Sequence, residues 1–398
     1  MLRLEEPHPS TTSGTTAPVS RSTIATAGSI ESLRSDLRAA GVFEPATRYY
    51  VALGTTLGGA HVLAYATLLC DPGAGLRAVA WLVTIFTSVQ LALLAHDAAH
   101  GAIAGKRWQR ELIGHLGMSF VNGYSFAYFT ATHMAHHAHP NDPARDPDMR
   151  PEVFSVYAPW PAEKRGVSRI VRRYQAWLLP FGLLLWVFAL RGNGVAHSLR
   201  HRPATRTDLV AIGLHAAVWL AIPVSLLGFA AALVNYCFVA GLTGFYLGTL
   251  FIPNHVGMPI ISEGSVVPQN STGCENSACD YVIRQAATSR NFGGSRLVAF
   301  LAGGLDSQIE HHLFPQVPNV RLRRARAVVR DFCARYRVPY REGSYIETWR
   351  EVLAQFDRVG QTAALSALDR GVARDTFPAR HDERRLPHGT SAVAVRRR

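Results

Sequence analysis

The sequence predicts an all-α integral membrane protein: four transmembrane helices in two hairpins, with a cytoplasmic helical cap that holds a metal site. Three observations predict it. The 398 residues are 48% hydrophobic and only 17% charged, against about 25% charged in soluble domains. Four apolar stretches have the length to cross a bilayer, and they come as two closely linked pairs. Three histidine clusters recur at helical spacing, and each falls just outside one of those pairs.

In chain order, residues 8–29 form a Ser/Thr/Ala/Gly/Pro run without apolar periodicity and read as disordered. They contain no apolar core of a secretory signal. Ser32 to Ala40 reads as a short amphipathic helix leading to the membrane, and residues 1–45 together as a tail. The spans are expected at about 49–70, 78–95, 209–227 and 230–252, each near the ~20 residues that cross ~30 Å of hydrocarbon. Asp71-Pro72-Gly73 and Gly228 supply the two tight turns. Ile113–Phe129 is interrupted by Gly, Asn and Ser, and Leu178–Leu190 is too short to span comfortably, so both are expected as interfacial or re-entrant pieces. A catalytic domain is expected over 46–350, with a C-terminal helix and a basic tail over 351–398.

Orientation follows from the basic residues. Formal net charge is +13. Arginine and lysine crowd the segment between the second and third spans and the segment after the fourth, whereas the hairpin turns hold little beyond Arg77. The positive-inside rule places both basic segments, both termini and all three histidine clusters in the cytoplasm. An even number of spans between the second and third clusters agrees with that placement. Five cysteines without a CxxC pair indicate neither a disulfide framework nor a zinc finger, and Cys274 with Cys279 reads as a loop pair.

The clusters are His96–His100, His133–His136–His137 and Gln308–His311–His312. At 3.6 residues per turn, pairs spaced three or four apart share a helix face. His96 pairs with His100, and His133 with His136 and His137. Gln308 stands in the same relation to His311 and His312. Asn254-His255 ends the fourth span on the same side. One tetrahedral metal takes about four ligands, so eight imidazoles imply two metals. His61 and His215 lie inside spans without evident partners and read as structural. His115, His139, His197, His201, His381 and His388 read as structural or solvated. A metal transporter would distribute its histidines through the bilayer rather than at one boundary, and four spans disfavour a nucleic-acid binder.

HxxxH at 96–100, HxxHH at 133–137 and QxxHH at 308–312, with Leu313-Phe314-Pro315 after the third, resemble the membrane fatty acid desaturase family. The likeness is to its front-end and linoleoyl-CoA-type bacterial members. Asp146-Pro147-Asp148 and Pro253-Asn254-His255 support the resemblance, which covers roughly residues 50–345. It implies a di-iron site ligated by His96, His100, His133, His136, His137, His255, His311 and His312. Gln308 and Asn254 would orient ligands or hold a water, with Asp97, Asp142, Asp306 and Glu310 hydrogen-bonding the far ring nitrogens. It further implies two iron ions, O2 as co-substrate, and a fatty acyl chain carried on coenzyme A, acyl carrier protein or membrane lipid. The acyl chain would be desaturated in a bacterial plasma membrane. A hydroxylase or ketolase of the same histidine-rich type is the rival. Two departures stand out. Many front-end members carry a fused cytochrome with a His-Pro-Gly-Gly haem motif, whereas His8-Pro9-Ser10 is all that occurs here, so a separate ferredoxin or cytochrome is the expected electron donor. His139-Pro140-Asn141 follows the second box where Thr-Asn is usual. Tyr124, Phe126, Tyr128 and Phe129 are expected at the substrate tunnel wall or the membrane interface.

Overall fold

The basic segments and apolar stretches fold into helices whose ends converge on one buried site. The computed structural model describes residues 30–150, 153–157, 167–261 and 277–376. The run at 8–29, Cys274 and the tail beyond 376 lie outside them.

Helix α1 (Ile30–Ala39) buries Leu33 and Leu37. They pack with Ile309, Leu313 and Phe314 of the third histidine cluster, so this amphipathic helix braces the site rather than simply leading to the bilayer. Helices α2 (Thr47–Leu69) and α3 (Ala74–Ala99) form the first hairpin, turning at Asp71, which adopts φ 46°. Helix α4 (Arg107–Gly114) runs into a π-helical turn over His115–Val121. The turn ends where Asn122 donates to the carbonyls of Ser88 and Gly117. A Cβ on Gly117 would stand 2.4 Å from the Leu91 carbonyl oxygen, so only glycine lets this turn lie on α3. Helix α5 (Phe126–Ala138) then carries the second cluster. The apolar run 113–129 is therefore three short pieces, in keeping with its interruptions.

After α6 (Val167–Arg173) come α7 (Gln175–Arg200), α8 (Arg206–Leu227) and α9 (Phe229–His255). Gly228 joins the last two with φ 81°, a conformation that favours glycine. Five helices, α2, α3, α7, α8 and α9, are long and apolar enough to cross a membrane. This corrects the expectation for Leu178–Leu190. The Arg191-Gly192-Asn193-Gly194 sequence does not end α7, which runs for 26 residues. Arg191 is accommodated there by the Asn122 carbonyl and by the face of Tyr236, its guanidinium carbon 4.9 Å from the ring centre. Gly194 lets the helix press against Ser125. The polar residues serve packing, not termination. Gly244 and Gly248 of α9 similarly admit Leu183 and Val187 of α7; a Cβ on Gly244 would stand 2.8 Å from the Leu183 carbonyl oxygen. Trp177, Phe181, Leu185, Leu63, Leu82 and Phe229 are outward-facing, as lipid contact requires.

The C-terminal part contains α10 (Ser277–Ala287), β1 (Asn291–Gly293), α11 (Arg296–Leu301) and α12 (Gln308–Leu313), followed by α13 (Asn319–Tyr336), β2 (Glu342–Ser344) and α14 (Tyr345–Thr376). The strands pair in parallel, Phe292 opposite Gly343. Val352 and Phe356 of α14 pack with Leu179 and Leu183 of α7, so the border expected near 350 falls inside a helix that is part of the core.

Candidate metal centre

Four helix segments deliver eight imidazoles. The last turn and cap of α3 bring His96 and His100; α5 brings His133, His136 and His137; α9 ends in His255; α12 brings His311 and His312. They fall into two groups. Ligand atoms of His96, His100, His133, His137 and His311 lie within 4.8 Å of one another, and those of His136, His255 and His312 do the same. The stacked rings of His137 and His312, 4.2 Å apart, join the groups.

Helix phase explains the division. Neighbouring residues on a helix point about 100° apart, whereas residues four apart are nearly aligned. His133 therefore shares a group with His137 and not with His136, contrary to the pairing read from spacing alone. His311 and His312 separate for the same reason.

The far ring nitrogens are held by the protein. Nδ1 of His96 meets Asp97 at 3.1 Å, Nδ1 of His136 meets Asp146 at 2.9 Å, Nδ1 of His312 meets the Gln285 side-chain oxygen at 2.9 Å, and Nδ1 of His255 meets the Thr288 carbonyl at 3.0 Å. The contacts at His96 and His312 leave Nε2 buried without a partner, whereas Nε2 of His255 meets the Gln308 amide. Arg290, buried, donates to the carbonyls of Pro253 and Val256 and so brackets His255. Asn291 accepts from the Ile309 backbone N–H and donates to Glu310, fixing α12.

Whether these residues suit a metal can be tested on their own chemistry. Nε2 of His96, His311 and His312 and Nδ1 of His137 are buried without a hydrogen-bond partner among the described residues. His133 Nε2 lies 3.0 Å from that of His100 and 3.1 Å from that of His137. Burial, reinforced by neighbouring imidazoles, holds His100, His133, His137, His311 and His312 well below the ordinary 6.5, in the neutral form that ligates metals. Unpaired nitrogens converging on two points are costly without a cation and fit two cations well.

Asn254 donates to the Gln308 side-chain oxygen at 3.1 Å, and the Gln308 amide nitrogen lies 3.0 Å from His255 Nε2. Both thus stand at the three-ring group. Among the carboxylates named from sequence, Asp97 alone meets an imidazole of these groups. Asp142 binds the Ala144 N–H and Arg145; Asp306 pairs with Arg326; Glu310 accepts from Asn291 and Tyr340. Asp146 had a signal in its Asp-Pro-Asp motif, but Gln285 and Thr288 had none. His61 and His215 do have partners: Thr87 for the former, the Phe120 carbonyl and the Tyr236 hydroxyl for the latter. His115, His139, His197 and His201 join neither group; His381 and His388 lie outside the described residues. Phe129 stacks on His133 at 4.7 Å, whereas Tyr124 and Phe126 are core residues beside Met118.

A helical, apolar chain with two histidine clusters that could each hold a metal ion describes a class of membrane-type protein. The chain belongs to the fatty acid desaturase family, whose family model matches residues 72–344. It is 28% identical over 266 residues to an "Acyl-lipid 8-desaturase" of Rebecca salina, covering 65% of this chain and 58% of that protein. It is 27% identical over 354 residues to "Delta(5) fatty acid desaturase fat-4" of Caenorhabditis elegans, covering 84% and 74%. With the human "Fatty acid desaturase 3" it shares 24% over 309 residues, covering 75% and 66%. The chain thus spans between about half and three quarters of these relatives' lengths.

Proposed function

We propose that this chain is a fatty acyl desaturase. It would convert a –CH2–CH2– unit to –CH=CH–, with O2 and two electrons consumed, two protons taken up and two waters released. The observation that carries the reading is the five-plus-three grouping of imidazoles, with ligand atoms within 4.8 Å of one another in each group, in a member of the desaturase family. His96, His100, His133, His137 and His311 would hold one iron, and His136, His255 and His312 the other. Bound iron would supply O2 activation strong enough to take hydrogen from an unactivated methylene, which no side-chain base can do.

The protein's own part is positioning and exclusion. Asp97, Asp146, Gln285 and the Thr288 carbonyl fix the ring orientations. The Gln308 amide, beside His255, holds that ring or a water next to it. Phe129 and Phe251, in ring contact with His96, keep solvent from the five-ring group.

The proposed topology keeps four crossings, with the histidine clusters and both termini cytoplasmic. Its support is parity: the chain leaves the site after His137 and returns at His255, so an even number of α7, α8 and α9 cross completely. The short Gly228 turn makes α8 and α9 the crossing pair, with α7 lying against α9. The acyl group would ride on coenzyme A, carrier protein or lipid. A ferredoxin or cytochrome would supply electrons at the basic face of a bacterial plasma membrane.

Expression in a desaturase-free host, with mass spectrometry of total fatty acids and double-bond localisation, tests this. Loss of two hydrogens supports it; gain of one oxygen indicates a hydroxylase and overturns it.

A further inference from the structure

One buried contact reaches the five-ring group from a helix that carries no histidine of either group. The Tyr50 hydroxyl, on the first turn of α2, donates to Asp97 Oδ2 at 2.9 Å and accepts from the Asn319 backbone N–H at 2.9 Å. The other oxygen, Asp97 Oδ1, meets His96 Nδ1 at 3.1 Å. Tyr50, Asp97 and His96 are 4%, 5% and 2% exposed, so water does not substitute for any of these bonds.

The direction of the relay is set by chemistry. A backbone N–H only donates, so the phenol oxygen receives from Asn319 and its single proton goes to Asp97. The carboxylate then has Oδ1 available for the proton on His96 Nδ1. That assigns the His96 tautomer: proton on Nδ1, lone pair on Nε2, which is buried without a partner. Asn319 opens α13, seven residues beyond His312. The same phenol therefore ties the first histidine box to the segment that follows the third.

We infer that Tyr50 is a positioning residue of the five-ring metal site, fixing the tautomer and orientation of His96 through Asp97. The inference rests on the metal-centre reading, not on which oxidation the site performs. The three-ring group of His136, His255 and His312 is oriented by Asp146, Gln285 and Thr288 instead, so Tyr50 acts on one site and not both.

The test is titration of the purified, metal-stripped full chain with Co2+, followed by its visible ligand-field bands. Wild type is expected to take two ions. In Tyr50→Phe the affinity of one class of site should fall ~10–100-fold, as for other lost outer-shell partners, with the second class and its bands unchanged. Tyr49→Phe, which removes the hydroxyl of the ring that meets Tyr50 edge-on but no bond of the relay, should match wild type. Should Tyr50→Phe not accumulate, Asp97→Asn, one step nearer His96, should weaken the same class. Two unaltered sites in Tyr50→Phe overturn the inference. So does equal weakening of both sites together with a lowered melting temperature of the metal-free protein, which marks a general loss of structure. A wild type that takes up no metal overturns the metal-centre reading and this inference with it. Selective weakening without any change in cellular fatty acids overturns the desaturase reading alone.

Discussion

Replacing Gln285 by alanine removes two buried bonds at once, neither of them detectable in the sequence. The side-chain oxygen accepts from His312 Nδ1 at 2.9 Å and the amide nitrogen donates to the His137 carbonyl at 2.8 Å. A carbonyl only accepts, so this pairing fixes which end of the amide faces His312. Gln285 is fully buried, leaving no water to replace it. Each orphaned partner costs about 1–3 kcal/mol, so Gln285→Ala should lose about 2–6 kcal/mol of stability. Freeing His312 should also lower metal affinity ~10–100-fold, about 1.4–2.8 kcal/mol at 1.4 kcal/mol per tenfold. Gln285→Glu keeps the acceptor for His312 while losing the donor to His137. The measurement is iron per chain after gel filtration against a chelator, paired with a thermal melt in detergent. Iron retention should fall in the order wild type, Gln285→Glu, Gln285→Ala. Wild-type iron in Gln285→Ala would refute the reasoning, and equal loss in both variants would place the effect at His137 rather than His312.

Three further outcomes are expected. His136→Ala should abolish unsaturated product and Gln308→Ala should reduce it more mildly, both with normal membrane insertion by fractionation; full activity in the former removes His136 from the ligand set. Burial works to lower the pKa of His136, but its hydrogen bond to Asp146 and the charges of Asp148 and Asp146 carry it above the ordinary 6.5. Protons therefore compete with metal at His136 first, while the five-ring group, held below 6.5 at His100, His133, His137 and His311, resists. Stepwise acidification should release one iron near the ordinary imidazole range and the second only below it, read as a one-iron plateau. Asp208 of α8 is fully buried and accepts from the Phe126 and Ala127 backbone N–H groups at 2.9 and 3.0 Å and from Ser119 and Ser125. Asp208→Ala should cost about 2 kcal/mol or more at about 1–3 per unpaired donor and loosen α5, seen as a lower melting midpoint with reduced iron.

How much of this was legible turns on which contacts are local. The boxes were readable because i,i+4 spacing is a property of one helix, and His96 with His100 needs no knowledge of the rest of the fold. The assignment of His136 and His312 to the second group was also latent in helix phase, since adjacent residues diverge. What sequence could not show were the partners supplied across the fold. Gln285 and Thr288 lie in and just after a helix with no motif, and Asp208 stands in the first turn of α8, ahead of its apolar stretch. The run Leu178–Leu190 looks too short for a related reason, since it stops at Arg191. A charge followed by Gly192 and Gly194 interrupts the apolar run unless one knows that Asn122 and Tyr236 wait on neighbouring segments. Asp306 and Glu310, conversely, lay beside the third box in sequence, yet point to Arg326 and Tyr340.

The glycine contact between α7 and α9 has a mechanical implication. Gly244 lies against the Leu183 carbonyl, and Gly248 receives the Leu183 side chain, so the two rods lock where α9 has no side chains of its own. His255 rides at the tip of one rod, while the other begins at Gln175, whose amide grips the Phe356 carbonyl of α14. The depth at which that imidazole sits is thereby set from outside the cluster, by a glycine seam and by a helix near the far end of the chain.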